Sequence, residues 1–295
     1  MDISRFDAKR SRIANTPAGI AGLVERIKEL NAEAVVCCEA SGGYEQLLCS
    51  TLMAEGIKVA LANPARVRAF ARSRGILAKT DRIDAQVIAE YARINAPRLL
   101  TEKPQWLNDL KALLIRREDL MNMKQQERSR LEHTSLRTIT AEIKRHIKLL
   151  DRRIEKLESA MEELIKSHSE LGHKYARLTE VKSIGKISAL SLIAFLPELG
   201  SITGNQAAAL AGVAPFNKDS GDQKGRRMIQ GGRVRLRRAL YMAALMGSFS
   251  NPHFQEVYRR LTAKGKPAKV AITAVMRKMV LLANRLLADP DFQLS

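Results

Sequence analysis

The chain has few aromatic residues and no long apolar run. Phe, Trp and Tyr make up only 4% of its 295 residues, which argues against a stacking platform for single-stranded nucleic acid. No apolar run reaches the roughly 18 residues that a membrane span requires. The first 30 residues also lack the apolar core of a signal peptide. These absences predict a cytosolic protein with no membrane partner.

Cysteine is equally scarce. The three cysteines are Cys37, Cys38 and Cys49, and the first two are neighbours in an expected strand. An odd number in this arrangement is typical of small core residues in a reducing compartment, not of a disulfide framework. No group of Cys and His residues has the spacing of zinc ligands.

Acidic residues are outnumbered by basic ones. The sequence has 50 Lys and Arg against 31 Asp and Glu, which gives a net charge of +19 and a pI of about 10.2. Such an excess predicts a polyanionic partner. Because the basic residues are spread over several segments and aromatics are few, we expect phosphate-dominated, salt-sensitive binding of duplex DNA and structured RNA.

The first hundred residues have the pattern of a βαβ unit. A helix is predicted at 17–30 with Thr16 as its N-cap, followed by a strand at 34–39, a helix at 44–55 and a strand at 57–62. The first predicted strand is a short continuous apolar run that ends in a carboxylate, as a buried parallel strand would be, and the second is also apolar. Function in open sheets gathers beyond the carboxyl ends of the strands, where Glu39 lies.

Two further acids open the next predicted helix, at 79–93. Asp81 and Asp84 are three residues apart and share a face if both are helical. Together with Glu39 they suggest a divalent-metal site that cuts or exchanges phosphodiesters, because carboxylates with open coordination suit Mg²⁺. Acids in a first helical turn also stabilise the helix dipole. On the residues alone, capping or salt-bridge roles are as well supported as catalysis.

The middle of the chain predicts two long helices, at 106–135 and 138–171. Apolar residues spaced by three and four form a seam flanked by Lys, Arg and Glu. Its members are Ile147, Leu150, Ile154, Leu157, Met161, Leu164 and Leu171. A seam of this period is typical of a coiled coil. It predicts either an antiparallel hairpin within one chain or a dimerising coiled coil that supports self-association.

The last third is expected to be helical. Residues 178–199 are similar to a helix-hairpin-helix element, with Gly185 at the turn and Ser183 where such turns often have glycine. Lys186 follows the turn and is a candidate for binding DNA phosphate. Further helices are predicted at 206–210, 233–246, 251–261 and 269–287.

One stretch of this region, residues 216–241, combines a serine with a dense cationic surface. Ser220 precedes Gly221, and residues 218–238 contain eight Lys or Arg and two Asp. A serine on a loop beside so much positive charge suggests attack on a phosphodiester. A solvated basic loop with an incidental serine is the alternative. The DNA-binding candidates here are Arg226, Arg227, Arg233, Arg235, Arg237 and Arg238.

Motifs in both halves give a family resemblance. The segments Glu39-Ala40-Ser41-Gly42-Gly43-Tyr44, Asn63-Pro64 and Lys79-Thr80-Asp81-Arg82-Ile83-Asp84-Ala85 closely resemble the N-terminal domain of the DEDD transposases of bacterial insertion sequences. These are relatives of the Piv-type DNA invertases and of the Holliday-junction resolvase fold. The C-terminal domain of the family is similar through Ala214-Pro215, Ser220-Gly221, Gly231-Gly232 and Tyr241-Met242-Ala243-Ala244. The resemblance covers nearly the whole chain in the expected order.

The resemblance implies a fold class of α/β plus α. It implies a truncated-looking ribonuclease-H-like domain at 1–100, coiled-coil helices at 101–177, and a mostly helical serine domain at 178–295. It further implies Mg²⁺ held by Asp2, Glu39, Asp81 and Asp84, with Ser220 as the nucleophile that forms a phosphoserine link to DNA. The implied partners are element-end and target DNA, an element-encoded structured RNA, and further copies of the chain in a dimer or tetramer. The implied location is the bacterial cytoplasm, at the nucleoid.

The start of the chain departs from the family pattern. The family begins with an apolar strand that carries an Asp, whereas here Asp2-Ile3-Ser4 fits that motif with almost nothing before it. Either Asp2 is the first acid on a trimmed strand, or the first strand is missing and the chain is an inactive DNA- and RNA-binding remnant. Asp7 is a weaker candidate for the first acid. A metal-dependent, structure-specific nuclease is a further alternative, in which water attacks and Ser220 is incidental.

Overall fold

The structure is a computed structural model that describes residues 2–3, 11–29, 34–78, 80–217 and 227–294, with Asp2, Ile3, Asp81 and Arg82 described by their backbone alone. The chain divides into two compact units, Met1–Lys103 and Pro104–Ser295, called here the first and second units. The described ranges are mostly helical and contain three two-stranded sheets. None of their helices is long and apolar enough to cross a bilayer.

The first unit alternates short strands with helices. Its elements are β1 (Asp2–Ile3), β2 (Ser11–Arg12), α1 (Pro17–Glu29), β3 (Val35–Glu39), α2 (Gln46–Ala54), β4 (Lys58–Ala62), α3 (Pro64–Ser73) and α4 (Asp81–Asn95). Strands β1 and β2 pair antiparallel, and β3 and β4 pair parallel with Val36 opposite Val59. The parallel pair with α2 between its strands confirms the predicted βαβ unit.

Helices cover both faces of the parallel pair. Val36 and Cys38 pack against a cluster from α1 and α2 that includes Ile20 and Leu52. Cys37 points the other way and packs against a cluster from α3 and α4. This alternation explains why the middle of each strand is a continuous apolar run: successive residues are covered from one side or the other, whereas Val35 and Lys58 at the strand starts are exposed.

The three cysteines are free thiols of this core. Cys49 is buried, and its sulfur lies 3.5 Å from that of Cys38. Burial raises the pKa of Cys37 to about 11. The hydrogen bond with Cys49, followed by burial, also raises the pKa of Cys38. Their interpretation as small core residues agrees with these positions.

The second unit consists of eight helices in the described ranges and one small hairpin. Its elements are α5 (Gln105–Glu132), α6 (Arg137–Ser167), α7 (Ser169–Thr179), α8 (Lys186–Phe195), α9 (Gly204–Ala211), β5 (Pro215–Phe216), β6 (Met228–Ile229), α10 (Val234–Ser250), α11 (Pro252–Ala263) and α12 (Ala268–Ala288). Helix α8 is apolar on all sides, as expected for a central helix, and it contacts α5, α7 and α10.

Helices α5 and α6 form a hairpin within one chain. Leu150 and Ile154 of the predicted seam are buried against Leu120 of α5. Ion pairs between Arg117 and Glu158, and between Lys124 and Asp151, flank the same contact. Of the two alternatives that the sequence left open, the intramolecular hairpin is therefore the one that buries this part of the seam.

The second long helix is shorter than predicted. It ends at Ser167, and α7 starts again after His168, whose backbone is extended with φ −128° and ψ 105°. The Trp106 and His168 rings lie 6.4 Å apart, and Leu171 is fully buried in the main core of the second unit. The seam pattern continues across this break because burial demands apolar residues on either side of it, so periodicity alone could not reveal it.

Candidate active site

Glu39 lies at the carboxyl end of β3, on the face that α3 and α4 cover. Side chains alternate along a strand, so Glu39 shares its face with Cys37, which packs against the α3–α4 cluster. Helix α4 contacts β3 directly. The Glu39 side chain is half-buried and makes no hydrogen bond or ion pair with any residue in the described ranges.

Helix α4 is capped by Thr80. The Thr80 Oγ1 accepts a hydrogen bond from the backbone N–H of Ile83 at 3.3 Å, and α4 begins at Asp81. The N–H of Asp84 already bonds the carbonyl of Thr80 at 2.9 Å, as in any helical turn. A cap is therefore present without Asp84, which weakens the capping explanation for that carboxylate.

Asp84 lies on the buried face of α4. It precedes Val87 by three residues and Tyr91 by seven, which puts all three on one side of the helix. Val87 and Tyr91 are buried in the α3–α4 cluster. Asp84 is half-buried beside them and, like Glu39, has no hydrogen-bond or ion-pair partner among the described residues. Two uncompensated carboxylates thus lie on elements that pack against each other.

Asp2 lies in β1, which also packs against α4. The four acids implied by the resemblance are therefore carried by three elements that meet at α4: β1 with Asp2, β3 with Glu39, and α4 with Asp81 and Asp84. At Asp2 and Asp81 the structure describes the backbone alone, so this convergence is one of elements and not of four measured side chains.

The donor set fits a hard divalent cation. Carboxylate oxygens are the ligands that Mg²⁺ prefers, and half-buried carboxylates without a counter-charge are costly unless something compensates them. Among the side chains that the structure describes, no three His, Cys, Asp or Glu residues are grouped so that they could hold a metal ion. Glu39 and Asp84 would therefore need Asp2 or Asp81 to complete a site.

The loop that follows Glu39 is fixed by a residue that the sequence motifs do not single out. The Glu45 carboxylate accepts hydrogen bonds from the Ser41 N–H at 3.0 Å, the Ser41 Oγ at 3.1 Å and the Gly43 N–H at 2.9 Å. Burial of Glu45 alone would raise its pKa, but its own N–H and these donors together lower it. Gly42 and Gly43 have positive φ values of 76° and 112°, so this turn requires glycine.

The same loop presents one aromatic ring to solvent. The Asn15 Nδ2 donates to the Tyr44 carbonyl at 2.9 Å, while the Tyr44 side chain is 80% exposed. The predicted helix at 44–55 accordingly starts two residues late, at Gln46, because residues 42–45 form a turn. An acid placed two residues after a glycine pair was the available clue, since the free amides of such a turn need an acceptor.

Arg68 fixes the segment that leads into α4. Its Nη2 donates to the Leu77 carbonyl at 2.6 Å, and its Nη1 donates to the Ala78 carbonyl at 3.4 Å. These carbonyls lie just before the Thr80 cap. Arg68 therefore holds the approach to the acidic helix. Its place within a run of arginines gave no indication of this role.

Ser220 and Arg226 lie outside the described residues. The segment that contains them joins β5 to β6, which pair antiparallel with Phe216 opposite Met228. All four strand residues are exposed. The structure thus describes the base of the serine loop but not the serine, and the predicted nucleophilic role of Ser220 stays a prediction.

Close backbone packing closes the base of this loop. A Cβ on Gly232 would lie 2.2 Å from the Gly212 nitrogen, and the two glycines have φ values of 68° and 72°. The Arg237 Nη1 donates to the Gly231 carbonyl at 2.7 Å and to the Gly212 carbonyl at 3.2 Å. Arg237, a predicted DNA-binding residue, therefore also ties the end of the loop to the end of α9.

Arg233 is likewise held internally. Its two terminal nitrogens bond the two carboxylate oxygens of Glu198 at 2.6 and 2.7 Å, and Nη1 also donates to the Phe195 carbonyl at 2.9 Å. Bidentate pairs of this geometry are among the stronger ion pairs in proteins. Glu198 belongs to the turn after α8, so Arg233 fastens the start of α10 to that turn.

Of the other described cationic candidates, Arg227, Arg235 and Arg238 are more available, whereas Lys186 is paired internally. Arg235 and Arg238 are exposed and share one carboxylate, that of Glu118, at 3.1 and 3.4 Å. Arg227 is exposed and has no partner in the described ranges. The Lys186 ammonium bonds the Glu162 carboxylate at 2.5 Å and lowers the pKa of that acid. Arg227, Arg235 and Arg238 thus retain positive charge for an external partner.

Comparison with known proteins defines the class. Residues 4–139 match the model of the DEDD-type IS110 transposases, and residues 175–259 match a family described as transposase IS116/IS110/IS902. The chain is also 32% identical over 251 residues to the pilin gene-inverting proteins of Moraxella bovis and Moraxella lacunata. Each alignment covers 83% of this chain and 77% of the relative.

A mostly helical chain whose acid-bearing elements meet at one helix, and which matches transposase models in both halves, is a DNA transposase of the DEDD type. Within that class the chain belongs to the IS110 family and is related to the Piv-type DNA invertases. The family resemblance indicated by the sequence motifs is confirmed.

Proposed function

We propose that this transposase cuts and exchanges DNA strands at a carboxylate site formed by Asp2, Glu39, Asp81 and Asp84. One observation carries the proposal: β1, β3 and α4, the elements that bear these acids, pack together through α4. The proposal includes a ribonuclease-H-like arrangement of the first unit, of which the described ranges contain the β3–β4 pair and its covering helices.

The acids have a clear part in this reaction. Glu39 and Asp84 supply half-buried carboxylate oxygens on facing elements, and Mg²⁺ is the cation that best suits such donors. When bound, the metal would polarise the scissile phosphate and stabilise the attacking and leaving oxygens. The turn held by Glu45 and the segment held by Arg68 fix the backbone on either side of the acids.

Ser220 is the proposed nucleophile. Its oxygen would bond to phosphorus while the bond from phosphorus to a deoxyribose oxygen breaks, and the proton of the hydroxyl would pass to that leaving oxygen. A serine hydroxyl needs activation, because it is a weak nucleophile at its ordinary pKa. Support comes from the setting: the loop starts and ends on the β5–β6 pair, and its base is closed at Gly212 and Gly232.

The cationic residues would hold the DNA. Arg227, Arg235 and Arg238 are exposed and carry more charge than the single Glu118 carboxylate offsets. They are the strongest candidates for phosphate contacts, with Arg226 as a fourth from the sequence. Arg233, Arg237 and Lys186 would contribute less to phosphate binding, because their side chains bond other groups of the protein. Because the chain carries a net charge of +19, an element-encoded structured RNA that guides the reaction is a proposed second partner.

Self-association is part of the proposal, since strand exchange brings two DNA sites together. The buried part of the seam is already covered by the packing of α5 against α6 within one chain. A dimer or tetramer in the bacterial cytoplasm would therefore have to use other surfaces. Sedimentation of the protein alone and with element-end DNA tests this. A monomer under both conditions would contradict it.

The serine mechanism is tested with Ser220→Ala. We expect this variant to bind element-end DNA as the parent does, with no covalent adduct and no recombinant. The measurement is a denaturing gel of protein with labelled DNA and Mg²⁺, with Ser250→Ala as the matched control, because Ser250 lies at the end of α10, away from the loop.

The same gel separates the remaining alternatives. Cleavage by Ser220→Ala at the parental rate, without adduct in either protein, would contradict the serine mechanism and leave a metal-dependent nuclease. Binding by the parent without any cleavage or adduct would instead identify an inactive DNA-binding protein.

A further inference from the structure

Helix α10 exposes an unusual face. Only seven of its residues are exposed, and they are Val234, Arg235, Arg238, Tyr241, Met242, Met246 and Phe249. At 3.6 residues per turn these positions fall within an arc of about 140°. The arc contains two arginines and five apolar or aromatic side chains, and it contains no acid.

The apolar half of this arc is largely uncovered within the described chain, and its one ring contact is that of Phe249 with Tyr258, whose centroids lie 5.8 Å apart. Met242, Met246 and Phe249 are 58%, 57% and 63% exposed. Contiguous exposed apolar surface of this kind marks an interaction site. The opposite side of α10 is buried against α8, α11 and α12, so the helix is firmly held and the exposed arc is a fixed surface.

We infer that this arc binds nucleic acid at unpaired or unstacked bases, with the arginines on phosphates and the apolar half against the bases. The inference rests on the proposed DNA interface and adds to it a preference for distorted DNA. Apolar side chains gain little from the charged exterior of an intact duplex. They do gain by contacting or wedging between bases that are already unstacked.

Charge favours nucleic acid over a second copy of the chain. Arg235 and Arg238 share one carboxylate, so apposing two such arcs would gather four arginines without enough acid to offset them. A strand of nucleic acid supplies phosphates at one end of the arc and bases at the other. From Arg238 to Phe249 the helix rises about 16 Å, the length of about five base steps.

The test compares two DNAs and needs no catalysis. Binding is measured by fluorescence anisotropy in EDTA, with a perfect duplex and with the same duplex carrying a three-nucleotide bulge. We expect the parent to prefer the bulged DNA by about tenfold. The double variant Met246→Ser/Phe249→Ser should lose that preference and keep its duplex affinity within about twofold and its salt dependence.

Controls separate this inference from the DNA interface on which it rests. Met121→Ser, at a methionine of α5 that is 40% exposed, should leave both affinities unchanged. The double variant Arg235→Gln/Arg238→Gln should bind both DNAs more weakly, and by the same factor. If the Ser variants kept the full preference, or lost affinity for both DNAs equally, the inference would be overturned while the phosphate interface stood. A parent that bound neither DNA would overturn both.

Two further measurements address misfolding of the variants and burial of the arc in a dimer. Photo-cross-linking of the parent to a 5-iodouracil in the bulge should give adducts at Tyr241 or Phe249, whether or not the variants fold. Adducts confined to other peptides would overturn the inference. Sedimentation of Met246→Ser/Phe249→Ser should give the parental oligomeric state. A lost oligomer, with the bulge preference intact, would show that a second copy covers the face and would overturn the inference.

Discussion

The two units treat their charged residues differently. In the first unit, Glu39 and Asp84 are half-buried and uncompensated among the described residues, although the chain as a whole is strongly basic. In the second unit, Arg233 and Arg237, which belong to the predicted DNA-binding set, donate hydrogen bonds to other groups of the protein. A carboxylate without a hydrogen-bond or ion-pair partner among the described residues is available to bind a ligand. An arginine whose donors already bond the protein is less available. The comparison separates charged side chains that have partners within the described chain from those that have none.

The largest expected effect is at the acids. Asp84→Asn and Glu39→Gln should each reduce metal-dependent cleavage by more than about a hundredfold. Loss of a residue that binds the metal directly should reduce activity more than loss of a residue that only supports such a ligand, which costs up to about a hundredfold. Neither should lower the melting temperature, because no internal ion pair is lost. Cleavage assays and thermal melts check this. The control is Glu90→Gln, which does remove an internal ion pair, the one between Glu90 and Arg74. Destabilised variants with normal cleavage would show that the acids are structural.

The next effect concerns the base of the serine loop. Gly232→Ala should destabilise the second unit by about 3 kcal/mol, because the new Cβ would meet the Gly212 backbone at 2.2 Å and φ is positive. Gly231→Ala is the matched control, with a similar φ of 67° and open space around it; it should cost about 1 kcal/mol. Urea unfolding measures both. Equal losses would mean that strain alone, and not close packing, requires the glycines.

The two kinds of arginine can be told apart directly. Arg233→Met should lower unfolding free energy by about 1 to 2 kcal/mol by removing the bonds to Glu198, an amount moderated by its partial exposure. Arg227→Met should leave stability unchanged but reduce the slope of log affinity against log salt by about 1. Unfolding and DNA titrations across salt concentrations provide the two readouts. The reverse pattern would overturn the division between structural and DNA-binding arginines.

A smaller effect is expected at the turn before α8. Ser183 has φ 94°, and its buried hydroxyl lacks a hydrogen-bond partner among the described atoms. Ser183→Gly should stabilise the second unit by about 1 kcal/mol by relieving this conformation. Ser183→Ala removes the hydroxyl but keeps the strained backbone, and so it should gain less. Thermal melts rank the three proteins. If alanine stabilised as much as glycine, the buried hydroxyl rather than the backbone would be the cost.

The smallest effect is a pH dependence of the turn after β3. The donors on Glu45 hold its pKa below the ordinary 4.5 in the folded protein. The stability it contributes is therefore present above pH 4.5 and declines as pH falls through the lower folded value. Glu45→Gln should flatten stability between those limits, as measured by unfolding from pH 6 downward. An unchanged pH profile would show that these hydrogen bonds do not matter to the fold.

Several features can be predicted from local sequence. Alternating short apolar runs and helical segments indicate the βαβ unit, and Thr16 identifies the start of the first helix. Ser183 occupies a position that favours glycine, and its φ is indeed positive. The break at His168 is not predictable in this way, because apolar spacing persists where a helix stops and restarts in the same core. The role of Glu45 is equally hidden, because its partners are backbone amides, which no residue pattern displays.

By itself the sequence determined the family, the acid-bearing elements and the positive charge, because these depend on residue type and spacing along the chain. Only the tertiary structure decided which charges remain uncompensated. The sequence marks Glu39 and Asp84 as candidate metal ligands but does not show that they lack partners among the described residues, and it groups Arg233 with the other cationic neighbours of the serine loop. Their different roles depend on which groups from distant segments lie within about 3 Å of them, since hydrogen bonds and ion pairs act only at that range. That proximity is set by packing, which links residues far apart in the chain.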